Sequence, residues 1–146
     1  MNRRLIRRFK ELGRLSSIFL SGAITVLAFA PFSVWPLALL TLAYLFFMVR
    51  ESYFGEAFFL GWLFSVGMFL AGLHWTFYPI GIYGAGGVFG GIILTIIFAF
   101  MLAIIPAFSV ALSSFWCRYP SLRALVVLPV LWGLFEWVRG WLFTGF

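Results

Sequence analysis

The sequence predicts an all-α membrane protein, a polytopic bundle of about five transmembrane helices with its N-terminus on the cytoplasmic side and its C-terminus on the opposite side. Three observations carry that prediction. Hydrophobic residues make up 64% of the chain and charged residues 10%, against about 45–50% apolar and about 25% charged in an ordinary soluble domain. The apolar residues fall into runs that approach or exceed the roughly 20 residues a helix needs to cross a bilayer. The basic residues gather between alternate runs. A soluble fold of 146 residues keeps too many positions at its water boundary to hide this much apolar surface. Disorder is excluded for the opposite reason, since too little of the chain is polar enough to stay solvated.

The elements follow in order. The first span is expected over 15–30, behind a flank carrying Arg3, Arg4, Arg7, Arg8, Lys10 and Arg14. No small-residue cleavage site stands out after Ala30, so the run is read as a retained span rather than a removed signal. The second span covers 34–49, with Pro36 suited to a first helical turn. Both are short for a bilayer, so flanking residues or local thinning make up the length. The third covers 57–80. The fourth, 88–116, is long enough to tilt or to kink at Pro106. The fifth, 124–146, contains Pro129, which neighbours or water can accommodate.

With the N-terminus in the cytoplasm, the segments 1–14, 50–56 and 118–123 share that side and hold six, one and two Arg or Lys residues. These are nine of the ten in the chain, and the connections at 31–36 and 79–87 hold none. Such asymmetry is the positive-inside pattern.

Charge and cysteine content narrow the function. A net charge of +6 could suggest nucleic acid, but the basic residues sit at the ends of apolar runs, where lipid head groups and topology explain them. Cys117 is the sole cysteine and His74 the sole histidine, which excludes an internal disulfide and makes a metal centre improbable. No metal and no cofactor are expected.

Arg139, the tenth basic residue, lies within the fifth span with Glu136 one turn earlier. Residues three apart share a helix face, and ionisable groups inside a span are costly enough to mark functional or packing sites. Two roles stay open for the pair. Arg139 offers a planar fork to a lipid phosphate or carboxylate, with Glu136 orienting it, or the two form a neutralised structural pair. Trp75, Trp132, Trp137 and Trp141 are read as interfacial aromatics. His74 offers a base, but no Ser or Cys partner stands at a useful spacing, and a hydrogen-bonded structural histidine is the favoured reading. Cys117 lies beside Arg118 without a base in sequence reach. The pairs Gly86/Gly90 and Gly87/Gly91 have small-xxx-small spacing, which suits close helix packing. No combination forms a catalytic constellation.

Four segments resemble one family. Glu136-Trp137-Val138-Arg139-Gly140-Trp141-Leu142-Phe143-Thr144-Gly145-Phe146 is similar to the Glu-(Trp/Phe)-x-Arg-Gly-x-x-x-Thr-Gly-Phe stretch of bacterial apolipoprotein N-acyltransferases. Leu128-Pro129-Val130-Leu131-Trp132 resembles the Pro-Ala-Leu-Trp stretch before it. Leu27 to Pro36 resembles the family's Leu-Ala-Phe-x-Pro-(Phe/Tyr)-x-x-Trp-Pro hairpin, and Gly72-Leu73-His74-Trp75 resembles its Gly-x-x-Trp.

The resemblance implies a bacterial inner-membrane protein whose far side is periplasmic. It implies transfer of an acyl chain from a phospholipid, typically phosphatidylethanolamine, through an enzyme thioester to the N-terminal diacylglyceryl-cysteine of a lipoprotein, a covalent catalysis in two steps. The family performs it with a Glu-Lys-Cys triad on a nitrilase-like domain. The chain stops at Phe146, so residues 1–146 are expected to be the N-terminal transmembrane region alone, with no catalytic residue, the nitrilase-like domain absent and no activity in isolation. Cys117 is on the wrong side and in the wrong region for the family nucleophile. The alternative is a small stand-alone membrane scaffold or carrier. A carrier would show inverted repeats or paired broken helices, and the sequence displays neither.

Overall fold

The computed structural model describes residues 3–84, 86–116 and 119–142. Cys117, Arg118 and the Phe143–Phe146 end of the last motif lie outside the described residues. Among the described residues there are helices and turns and no strand.

Helix α1 (Arg3–Thr25) runs into a 3-10 turn, Val26–Ala28. After a hairpin come α2 (Pro36–Val49) and α3 (Phe54–Leu73). A 3-10 turn, His74–Thr76, separates α3 from the short α4 (Phe77–Tyr83). Then follow α5 (Gly87–Leu102), α6 (Ile104–Trp116), the single turn α7 (Pro120–Leu122), a π turn (Arg123–Val127) and α8 (Leu128–Leu142).

Among the described residues these eight helices form five successive legs of a bundle. Four stretches are long and apolar enough to cross a membrane: Arg8–Ala28, Phe54–Tyr83, Gly87–Trp116 and Pro120–Leu142. Helix α2 has 14 residues, about 21 Å at 1.5 Å per residue. That is shorter than a hydrocarbon core of about 30 Å and calls for local thinning or flanking contributions.

Proline accounts for departures from single unbroken spans, at Pro106 and Pro129 as at Pro79, four residues after Trp75 in the break between α3 and α4. Pro106 has no N–H for the Leu102 carbonyl, and its ring crowds that carbonyl. The fourth traverse breaks at Ala103, between α5 and α6, while Ala103 and Ala107 still donate to Ala99 and Ala103 at 3.1 and 3.2 Å. Pro129 likewise leaves the Leu125 carbonyl without its donor. The helix widens there into the π turn, closed by the Leu128 N–H on the Arg123 carbonyl. The fifth traverse therefore starts at Pro120, and the third is α3 and α4 joined by a tighter turn.

Cross-helix contacts fix the directions. Arg14 pairs with Glu56 at 2.8 Å, Gly22 lies against Phe64 and Gly67 against Phe19, so α1 and α3 run parallel. Thr25 donates to Thr41 at 2.8 Å, Ser17 bonds Tyr44 at 2.7 Å and Arg14 donates to the Met48 carbonyl at 3.4 Å, so α2 runs against α1. Phe54 packs against Phe115 and Phe58 meets Phe108 edge-on, which makes α6 antiparallel to α3. Arg123 bonds to Ser52 and Arg139 sits over Phe69, so α8 runs parallel to α3.

Helix α3 is the axis of the bundle. Phe64, Leu60 and Ala57 are buried together with Ile18 of α1, Leu45 and Val49 of α2, Val110 of α6 and Leu128 of α8. Contact between α1 and α3 depends on glycine. A Cβ on Gly22 would fall on the Phe64 carbonyl oxygen, and one on Gly67 on the Phe19 carbonyl oxygen. Small residues let backbones approach where lipid removes any hydrophobic drive between helices, leaving dispersion and interhelical hydrogen bonds to hold them. The outer surface is apolar as well: Leu39, Phe89 and Leu125 are 62%, 76% and 77% exposed. That suits lipid and not water.

Candidate functional site

Trp132, Glu136 and Arg139 stand at i, i+4 and i+7 on α8 and so share one face. Together with α1, α2, α3 and the hairpin after α1, this face lines a cleft of ≈ 360 Å³. Its wall is mostly apolar, with Val26, Phe29, Leu42, Met68, Phe69 and Leu73 around the two charges. The cleft lies toward the end of the bundle where α1, α3 and α8 finish, opposite the Arg14–Glu56 pair.

The Arg139 guanidinium donates twice to one carboxylate oxygen of Glu136, from Nη2 at 2.7 Å and from Nε at 3.2 Å. Their side chains are 20% and 30% exposed. The guanidinium carbon is 5.7 Å from the centre of the Phe69 ring, within cation–π range. The second carboxylate oxygen, Oε1, is buried and has no hydrogen-bond partner among the described residues. Buried acceptors ordinarily have one. The cleft thus combines a cation held at a fixed place, an anionic oxygen with capacity left, and an apolar wall.

A second groove, of ≈ 480 Å³, runs between α2 and the π turn and start of α8. Its lining is apolar throughout, including Leu39, Phe47, Leu125 and Pro129. Leu42 and Trp132 belong to both spaces, so the charged cleft and the apolar groove share a wall.

The tryptophans occupy different surroundings. Trp132 is half-buried, its ring edge-on to Phe46 at 6.2 Å and to Phe64 at 6.0 Å. Trp137 and Trp141 are exposed and lie 5.8 Å from each other. Trp75 is exposed in the 3-10 turn after α3. His74 contacts the Ala71 carbonyl through Nδ1 at 2.7 Å. No cluster of metal-ligating residues occurs among the described residues.

One polar centre escaped the sequence reading. Arg123, counted there as a loop cation, is buried to 4% exposure at the opposite end of the bundle. Its Nε donates to Ser113 Oγ at 2.9 Å and its Nη1 to the Ser52 carbonyl at 2.7 Å and the Arg50 carbonyl at 3.4 Å. It clasps the α2–α3 loop, α6 and the π turn together. The available signal was Pro129, just before which the helix takes a π turn whose first residue is Arg123.

Residues 21–146 match the family model described as the apolipoprotein N-acyltransferase N-terminal domain. The apolipoprotein N-acyltransferase of Coxiella burnetii is 39% identical over 129 residues, covering 87% of this chain and 27% of that protein. That of Vibrio vulnificus is 32% identical over 139 residues, covering 94% and 28%. That of Pseudomonas putida is 37% identical over 128 residues, covering 86% and 25%. The chain spans about a quarter of the length of the curated relatives it matches.

Proposed function

Because the chain belongs to the family of apolipoprotein N-acyltransferase N-terminal domains, we propose that it is the membrane part of an enzyme that moves an acyl chain from a phospholipid to the N-terminal diacylglyceryl-cysteine of lipoproteins. Its work in that reaction is to bind and orient lipid. The observation that carries this reading is the adjacency of the Glu136–Arg139 cleft and the apolar groove across Leu42 and Trp132. A phospholipid has the matching division: phosphate for a guanidinium fork, hydrocarbon for an apolar channel. Isolated residues 1–146 transfer no acyl group under this reading, since the cleft offers no thiol and its Thr25 hydroxyl is committed to Thr41.

Orientation follows the charges. Arg8, Lys10, Arg14, Arg50 and Arg123 belong to the end that carries the start of α1 and the α2–α3 loop, and Arg139 to the other. The basic end is the cytoplasmic one, which puts the cleft toward the periplasmic face of a bacterial inner membrane.

A phospholipid carrying a photoreactive group near its phosphate tests the reading on the 146-residue chain in nanodiscs. Labelling is expected to concentrate on peptides containing Phe29, Leu73 and Glu136, and to fall several-fold in Arg139→Ala. Labelling spread evenly over the lipid-facing surface, or unchanged in Arg139→Ala, contradicts it.

A further inference from the structure

The two apolar spaces meet at one pair of side chains, and they are not alike. The cleft lies inside the bundle, among α1, α2, α3 and α8, with Val26, Met68 and Leu73 in its wall together with Glu136 and Arg139. The groove lies on the outside, between α2 and α8, where Leu39, Phe47 and Leu125 are exposed. Leu42 of α2 and Trp132 of α8 line both. Edge-on contacts with Phe46 and Phe64 fix the Trp132 ring in that place.

Each space holds a glycine that helix packing does not require. Gly133 of α8 lines the groove, and a Cβ there would meet nothing within 4 Å. Gly72 of α3 lines the cleft, and a Cβ there would meet the Val26 side chain at 3.6 Å, an ordinary contact. Gly22 and Gly67, by contrast, have a facing carbonyl where a Cβ would stand. Glycine weakens a helix relative to alanine. At 72 and 133 its missing side chain leaves volume, ≈ 360 Å³ in the cleft and ≈ 480 Å³ in the groove, both of ligand-site size.

The spacing along α8 suits a branched ligand. Trp132 stands seven residues before Arg139, about 10 Å along the helix. A lipid phosphate at Arg139 therefore leaves room for its glycerol before the chains reach Trp132, where the path divides. The groove continues from Gly133 to Ala124, about 14 Å further. Its exposed rim makes the hydrocarbon around the bundle its natural occupant.

Resting on the reading of the cleft as a phospholipid site, we propose that the lipid sits astride Leu42 and Trp132, with one acyl chain in the cleft and the other in the groove. Trp132 is then the divider that selects two-chain phospholipids. A one-chain lipid leaves one space unfilled and forfeits its dispersion contacts.

The test uses the 146-residue chain in detergent micelles and a phosphatidylethanolamine with a photoreactive group midway along each acyl chain. One lipid should bridge a groove peptide containing Phe47 or Leu125 to a cleft peptide containing Val26 or Leu73. In Gly133→Leu, which fills the groove from an uncrowded position, bridging should fall several-fold while links to the cleft remain. Unlabelled two-chain phosphatidylethanolamine should compete several-fold better than its one-chain form. Links confined to one space, bridging unchanged in the folded variant, or equal competition by the two lipids overturns the proposal. Should Gly133→Leu fail to fold, bridging and competition on the unsubstituted chain decide. Head-group labelling that depends on Arg139 without any bridging overturns the straddling lipid alone. Head-group labelling indifferent to Arg139 removes the phospholipid reading and this proposal with it.

Discussion

Replacing Arg123 by Met asks what one buried guanidinium does for the bundle. Met keeps most of the side-chain length and removes every donor. Among the described residues, two acceptors lose short bonds, the Ser52 carbonyl at 2.7 Å and Ser113 Oγ at 2.9 Å, and the Arg50 carbonyl loses a weak one at 3.4 Å. A buried acceptor left bare costs about 1–3 kcal/mol, so the two short bonds set a range of about 2–6 kcal/mol. Relief from burying the guanidinium offsets part of this, leaving a net loss of about 2–4 kcal/mol. For a chain of this length that lowers the melting temperature by about 5–10 °C. Thermal unfolding in detergent micelles, followed by circular dichroism, measures it. Arg123→Lys should recover little, because one ammonium on a flexible stem cannot hold the two short bonds in fixed directions. A melting temperature for Arg123→Met within about 1 °C of the unsubstituted chain would refute the reasoning, since it would mean that the clasp carries no net stability.

Two further stability predictions rest on the same measurement. Gly22→Ala and Gly67→Ala each push a Cβ onto a facing carbonyl and should cost about 1–3 kcal/mol, whereas Gly133→Ala, with nothing within 4 Å, should be neutral or slightly stabilising through helix propensity; equal effects at all three sites would contradict the close α1–α3 contact. In a double-mutant cycle, Glu136→Ala and Arg139→Ala should couple by about 0.5–3 kcal/mol, the double variant losing less than the sum of the singles; strict additivity would mean that the 2.7 Å pair contributes nothing.

Much of this architecture was legible in the sequence, and the reason is the bilayer. A requirement for long apolar runs separated by short polar connections writes five traverses into composition alone, and the three-residue spacing of Glu136 and Arg139 was enough to bring them together. The third traverse was less legible. It breaks at His74–Thr76, where Pro79 has no N–H for the Trp75 carbonyl, but the apolar run was read as one span, so α4 was not foreseen as a separate helix. Arg123 was missed because charge counting treats every arginine between spans as solvated. It stands at the start of the π turn, and its side chain reaches the Ser52 and Arg50 carbonyls under the α2–α3 loop. Nor could periodicity say which faces meet: Phe64 is fully buried and Leu125 is 77% exposed, yet both are apolar, because lipid and core select the same residues. The cleft itself needed α1, α2, α3 and α8 assembled, since its lining comes from four helices far apart in sequence.

Sidedness is the most direct test of the bundle and of where its charged cleft lies. In a Cys117→Ser background, single cysteines at Tyr53, Tyr83 and Tyr119, which are 73%, 89% and 73% exposed, can be challenged in intact bacterial cells with a membrane-impermeant thiol reagent after the outer membrane is made leaky. Position 83 should label at once, and positions 53 and 119 only after the inner membrane is permeabilised. Labelling of 83 together with 53 from one side would break the alternation of the traverses and remove the cleft from the periplasmic half of the membrane.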